Sequence, residues 1–193
     1  MLNKVNACMI DTLVSSQSVI ITLDVDAFLF DKLKRIAQTR FSVVEINSSE
    51  LSLLKKALAD FPTLKIGAGN ITTSQQLEDC HQAGVSFVTS PGFLSTLAQT
   101  ATIYSMNYLP GISTISEAMQ AMAIGCHHVR VYPANLSLCT LLSKSIPLLR
   151  LFPAEIEWDH IEHFLNLPAV SAVSILNPEI KELQVISEAL IPA

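Results

Sequence analysis

The sequence predicts a compact (β/α)8 TIM barrel: a single α/β domain over residues 1–193, with an N-terminal helix capping its bottom. Three observations predict it. Short β-branched runs recur eight times along the chain. They stand roughly 21 to 23 residues apart, the period of one strand–helix unit. The segments between them carry apolar residues at helical spacing. Strict alternation of strand and helix with short connections favours a parallel sheet, and eight such units favour closure over an open sheet.

The elements follow in order. Residues before Val19 supply the capping helix. The strand runs are Val19–Leu23, Ser42–Ile46, Leu64–Ala68, Ser86–Thr89, Tyr108–Leu109, His128–Tyr132, Leu148–Leu151 and Val170–Ile175, each rich in residues that suit a pleated, buried surface. Between them, Leu51, Leu54, Ala57 and Leu58, and again Leu77, Cys80, His81 and Gly84, repeat at i, i+3, i+4 and i+7. Ser74 ahead of Gln75-Gln76-Leu77 marks a helix start, and Thr114 three residues before Glu117 marks a capping box. Gly84 and Gly125 mark helix ends. Pro and Gly are few and sit at the predicted turns, so no linker divides the chain.

Composition excludes several function classes. Half of the residues are hydrophobic and 15% are charged, a balance that builds a packed core rather than a solvated coil. A net charge of -5, with 12 Lys and Arg scattered along the chain, leaves no basic stripe for nucleic acid. No apolar run approaches the roughly 20 residues that span a bilayer. Met1–Thr12 mixes Lys4, Asn6 and Asp11 among its apolar residues, unlike a signal peptide, so a cytoplasmic location is expected. Cys8, Cys80, Cys126 and Cys139 form no Cys-x-x-Cys pair and read as reduced, mostly buried thiols. His160-Ile161-Glu162-His163 has i, i+3 spacing that a metal can use, but without a convergent third ligand it reads as an exposed helix face. No metal and no cofactor are expected.

In such a barrel, chemistry gathers at the C-terminal ends of the strands. Those ends carry Asp24 and Asp26, Glu45 to Ser49, Gly67 to Asn70, Ser90 to Gly92, Pro110 to Thr114, Arg130 to Asn135 and Phe152 to Glu155. Gly67-Ala68-Gly69, Ser90-Pro91-Gly92, Pro110-Gly111-Ile112-Ser113-Thr114 and Tyr132-Pro133-Ala134 fall there in register. In order and spacing they resemble the KDPG/KHG aldolase family, from Val19 to about Ala134. The resemblance implies a homotrimeric, metal-free class I aldolase that cleaves a 2-keto-4-hydroxy acid to pyruvate and an aldehyde through a lysine imine. It also nominates Gly69, Asn70, Pro91, Gly92, Pro110, Gly111 and Tyr132 as substrate-binding residues and Glu45 as the general acid/base.

The chain departs from that pattern at its chemical centre. The family's lysine position is Arg130, whose delocalised, permanently charged guanidinium grips a carboxylate but does not attack a ketone. The family's carboxylate-binding arginine after the glutamate is replaced within Asn47-Ser48-Ser49, and its threonine after Gly-Ala-Gly is Asn70. The glycine-rich phosphate turns give way to Pro153-Ala154-Glu155-Ile156 and Ile175-Leu176-Asn177-Pro178, so phosphate is expected to be repelled. Lys65 is expected to face the helices and Lys144 the solvent, so neither replaces the missing amine. His128 shares the inward parity of Arg130, one layer deeper.

Two readings of the site follow. In one, Arg130 and Glu45 serve a non-catalytic barrel, either as a simple buried ion pair or as a grip on a small keto acid or other small anion. In the other, the protein is a lyase for an unphosphorylated keto acid, with Glu45 as base and Arg130 as an electrophilic clamp, without an imine.

Overall fold

Residues 18–179, with Lys181 and Leu183, are described by the computed structural model of the chain. The predicted capping helix and Cys8 lie outside the described residues. Strands and helices alternate from the start: β1 (Val19–Leu23), α1 (Leu29–Ile36), β2 (Val43–Ile46), α2 (Leu51–Asp60), β3 (Lys65–Ala68), α3 (Ser74–Ala83), β4 (Val88–Thr89) and α4 (Ser95–Ile103). Then come β5 (Tyr108–Leu109), β6 (Gly111–Ile112), α5 (Ile115–Ala123), β7 (His128–Val131), α6 (Leu136–Ser145), β8 (Arg150–Leu151), a 3-10 turn (Trp158–His160), α7 (Ile161–Leu165) and β9 (Val173–Leu176).

All strand pairings described are parallel, in the orders β5-β4-β3-β2-β1-β9 and β6-β7-β8. β5 and β6 are two halves of one run interrupted at Pro110, which has no N–H to give a ladder. Its carbonyl still accepts the Arg130 N–H at 2.8 Å. Past β8, the Leu151 N–H bonds Ala169 O at 2.8 Å and the Ser174 N–H bonds Pro153 O at 2.9 Å. The result is an α/β fold with a curled, parallel sheet.

The ends of the elements differ from the sequence expectation where side chains compete for the backbone. Thr73, not Ser74, caps α3: its hydroxyl accepts from the Gln76 N–H while the Gln76 side chain accepts from the Thr73 N–H. Thr114 caps α5 through the Glu117 N–H, and the Glu117 carboxylate accepts from the Ser113 N–H, holding that carboxyl below its usual range. Gly84 ends α3 at φ 85° and Gly125 follows α5 at φ 88°, left-handed positions open to glycine. The run expected from Leu148 starts as a strand only at Arg150, because the Leu149 N–H turns back to Ile146 O at 3.0 Å.

Side-chain parity divides the core in two. Val19, Ile21 and Leu23 of β1, Val44 and Ile46 of β2, Ile66 and Ala68 of β3, and Val129 and Val131 of β7 join the cluster that packs against the helices. Each fully buried Leu or Ile there contributes about 1.5–3 kcal/mol. Ile20, Val43, Phe87, Leu109, Phe152 and Ala172 form a second cluster on the concave side. This parity corrects the expectation for Lys65: Ile66 and Ala68 face the helices, so Lys65 shares the concave side with Gly67, at the N-terminal end of β3 and away from the C-terminal ends. The His128 ring does face inward, 6.0 Å from that of Phe152. Lys144 is exposed at the end of α6.

Cys80, Cys126 and Cys139 are free thiols, and burial pushes Cys80 and Cys139 up to about 12. Among the described residues no helix is long and apolar enough to cross a membrane. Nor does any group of three or more His, Cys, Asp or Glu there converge as metal ligands. His160 and His163 are exposed.

Candidate functional site

The site is one pleat above the concave apolar cluster. Two residues beyond Ile20, Val43, Phe87, His128 and Ala172, the same parity turns Thr22, Glu45, Thr89, Arg130 and Ser174 inward. All five are buried, at no more than 6% exposure, and Ser90 completes the buried polar set among the described residues. Ser90 faces elsewhere, donating to Gly92 O at 2.7 Å and sharing a hydrogen bond with the Tyr108 hydroxyl at 2.6 Å. Burial raises the Tyr108 phenol to about 12.

Arg130 organises the layer. Its Nη1 donates to Glu45 Oε1 and to Thr89 Oγ1, the latter at 3.0 Å. The two ion-paired side chains are only 7% and 2% exposed. A buried pair of this kind survives because each charge is satisfied by the other; neither is tolerated alone. On the opposite edge, Nη2 lies 3.8 Å from Glu155 Oε1, an ion pair beyond hydrogen-bond range. The guanidinium carbon stands 5.6 Å from the Tyr132 ring centre, within cation–π reach.

Glu155 sits in the turn after β8 with φ 60°, and its N–H donates to Ser174 Oγ at 3.2 Å. Burial raises the pKa of its carboxyl above the usual 4.5; Asp24 and Glu45 add to the rise, while Arg130 and the Tyr132 hydroxyl oppose it. It borders a cavity of about 350 Å³ lined by the turns after β8 and β9, where Glu157, Trp158, Asn177 and Glu179 also stand.

The rim is hydrogen-bonded through Asp24. Its carboxylate accepts from Asn47 Nδ2 at 2.7 Å and from Asn177 Nδ2 at 2.8 Å, and its N–H donates to Asn177 Oδ1 at 3.0 Å. Asn47 Oδ1 and Thr22 Oγ1 are buried without a hydrogen-bond partner among the described residues.

The residues nominated from sequence divide into those at the centre and those around it. Glu45, Arg130 and Tyr132 meet. Gly69 is there by close approach: a Cβ on it would sit 2.3 Å from Asn47 Oδ1 and 2.6 Å from Glu45 Oε1. Gly111 and Pro91 also meet, since a Cβ on Gly111 would lie 2.3 Å from the Pro91 carbonyl oxygen. Pro110 supports Arg130 through its carbonyl, and Gly92 fixes Ser90. Asn70 is exposed at φ 60° in the turn after β3. Sequence reasoning missed Thr22 and Thr89, although Thr22 stands two residues past Ile20 and Thr89 two past Phe87, a parity signal available without coordinates. It also missed the approach of Glu155 to Arg130, which no local pattern encodes.

Comparison with known proteins agrees with this fold. The family model for KDPG and KHG aldolase matches residues 14–177. A 2-dehydro-3-deoxy-phosphogluconate aldolase of Pseudoalteromonas atlantica is 36% identical over 87 residues, 45% of this chain and 40% of that protein. One of Dickeya dadantii is 39% identical over 76 residues, 39% of this chain and 36% of that protein, so the chain matches about two fifths of the length of these relatives. A Pseudomonas aeruginosa protein of the same name is 26% identical over 174 residues, 85% of this chain and 79% of that protein. Among solved structures, the KDPG aldolase of Legionella pneumophila, with pyruvate captured at low pH as a covalent carbinolamine intermediate, superposes with a TM-score of 0.80 at 24% identity, over 92% of this chain and 94% of that one. The 2-keto-3-deoxy-6-phosphogluconate aldolase of Zymomonas mobilis with 3-phosphoglycerate gives 0.81 at 19% identity, over 93% of each chain. At these identities the structural likeness speaks for the fold.

Proposed function

Since this chain belongs to the KDPG and KHG aldolase family, we propose that it binds a small 2-oxo acid in a closed (β/α)8 barrel without forming an imine with it. Closure is supported by the hydrogen bonds that run from β8 to the approach to β9 and by the pairing of β9 with β1. The carrying observation is the guanidinium of Arg130 in the buried polar layer, held by Glu45 and Thr89. A guanidinium there has no free lone pair for a carbonyl carbon, and its N–H groups suit a carboxylate. The two unpartnered buried oxygens, Thr22 Oγ1 and Asn47 Oδ1, favour a polar occupant that brings hydrogen-bond capacity to them. The acidic lining after β8 and β9 disfavours a phosphate-bearing one. By family resemblance the proposal extends to a cytoplasmic homotrimer.

The test is the intact mass after incubation with pyruvate and borohydride, which reduces an imine to a permanent adduct. The expected result is an unchanged mass beside a modified control aldolase. A stable adduct would show that an amine of this chain reaches the ketone and would overturn the proposal.

A further inference from the structure

Arg130 faces two carboxylates with unequal holds. Glu45, 2% exposed, takes Nη1 together with Thr89. Glu155, 30% exposed on a turn, stands 3.8 Å from Nη2, too far for a hydrogen bond. One is built in; the other is held more loosely, from the turn that also borders the cavity. We propose that Glu155 occupies the ligand's own carboxylate subsite on the Nη2 edge of Arg130, and that a small 2-oxo monocarboxylate displaces it while Glu155 takes up one proton. This deepens the keto-acid reading above and rests on it.

The charges balance. Before binding, Glu45, Arg130 and Glu155 sum to minus one. After it, Glu45, Arg130 and the ligand carboxylate sum to minus one, with Glu155 neutral and one proton drawn from solvent. Without that proton, three carboxylates would share one guanidinium in a buried layer, which like-charge repulsion opposes. The groups facing Glu155 favour the neutral form once Arg130 is taken: Asp24 beyond β1, Glu45 on β2, and Glu157 and Glu179 in the same cavity lining are all acidic, leaving the Tyr132 hydroxyl as a neutral partner. The rise of the Glu155 carboxyl above 4.5 already reflects its burial and the first two of these neighbours. The same acidic lining selects ligands with a single negative group. Pyruvate fits this requirement, and a keto acid with a second carboxylate does not.

The experiment is calorimetric titration of the full chain with pyruvate near pH 7, in two buffers of different ionisation enthalpy, repeated at pH values from 5 to 8. Trp158 is the chain's one tryptophan and lines the cavity, so its fluorescence gives a second readout. Above the Glu155 pKa, uptake approaching one proton per pyruvate is expected, with affinity falling about tenfold per pH unit. In Glu155→Gln the slope disappears, and affinity at pH 8 matches or exceeds that of the wild type at pH 5. 2-Oxoglutarate binds the wild type more weakly than pyruvate at each pH. The wild-type proton count needs no variant, so a misfolded variant does not obscure it. Pyruvate binding with no proton uptake, or a slope retained in Glu155→Gln, overturns this inference and leaves keto-acid binding standing. No pyruvate binding at any pH overturns both.

Discussion

Replacing Arg130 with methionine removes the cation paired with Glu45, and the structure sets the size of the effect. The pair's side chains are 7% and 2% exposed, so water cannot take over the role of the guanidinium. Breaking a buried pair from one side costs about 3–5 kcal/mol, against roughly 0–1 kcal/mol for an exposed pair. In a domain of this size, 1 kcal/mol moves Tm by about 2–4 °C, so the substitution is expected to lower Tm by roughly 6–20 °C. Thr89 would also lose its guanidinium donor, and the loss adds to the cost. Glu45→Leu leaves the cation buried but keeps Glu155 at 3.8 Å as a partial substitute, so its cost should be smaller. The double variant Arg130→Met, Glu45→Leu removes both charges and should recover most of the loss, because an apolar pair of similar volume avoids the desolvation of two ions. Urea unfolding of the four proteins closes the cycle. A cost for Arg130→Met below about 1 kcal/mol, or a double variant no better than the sum of the singles, would refute the account of a coupled, buried pair.

Two further outcomes are expected. Gly69→Ala places a methyl 2.3 Å from Asn47 Oδ1 and 2.6 Å from Glu45 Oε1, which should cost about 1–3 kcal/mol and weaken pyruvate binding; thermal melts and calorimetry that match the wild type would show that neither side chain is held there. Light scattering should give three times the 21.0 kDa chain mass if the family's trimer is kept, and the mass of a single chain would remove that part of the proposal.

Sequence by itself determined the alternation of the fold, because the short β-branched runs and the 3.6-residue periods between them are local signals. Val19–Leu23 emerges as a strand with the expected bounds. Strand ends carry the chemistry in this architecture, and among the residues there the resemblance to the KDPG/KHG aldolase family singles out Glu45 and Arg130. It also determined that imine chemistry has no lysine at position 130, a matter of covalent identity alone. Parity was readable in principle, yet Lys65 was placed on the wrong face. A short strand buried on both faces is apolar on both, so Ile66 and Ala68 do not announce which side they take. Only the tertiary structure decided what Arg130 does with its charge. Glu45 lies 85 residues away and Thr89 41 residues away. Glu155, across the turn after β8, reaches the guanidinium only because parallel strands end on one rim. Contacts between residues so far apart follow from sheet register and curl, which no local run of residues carries.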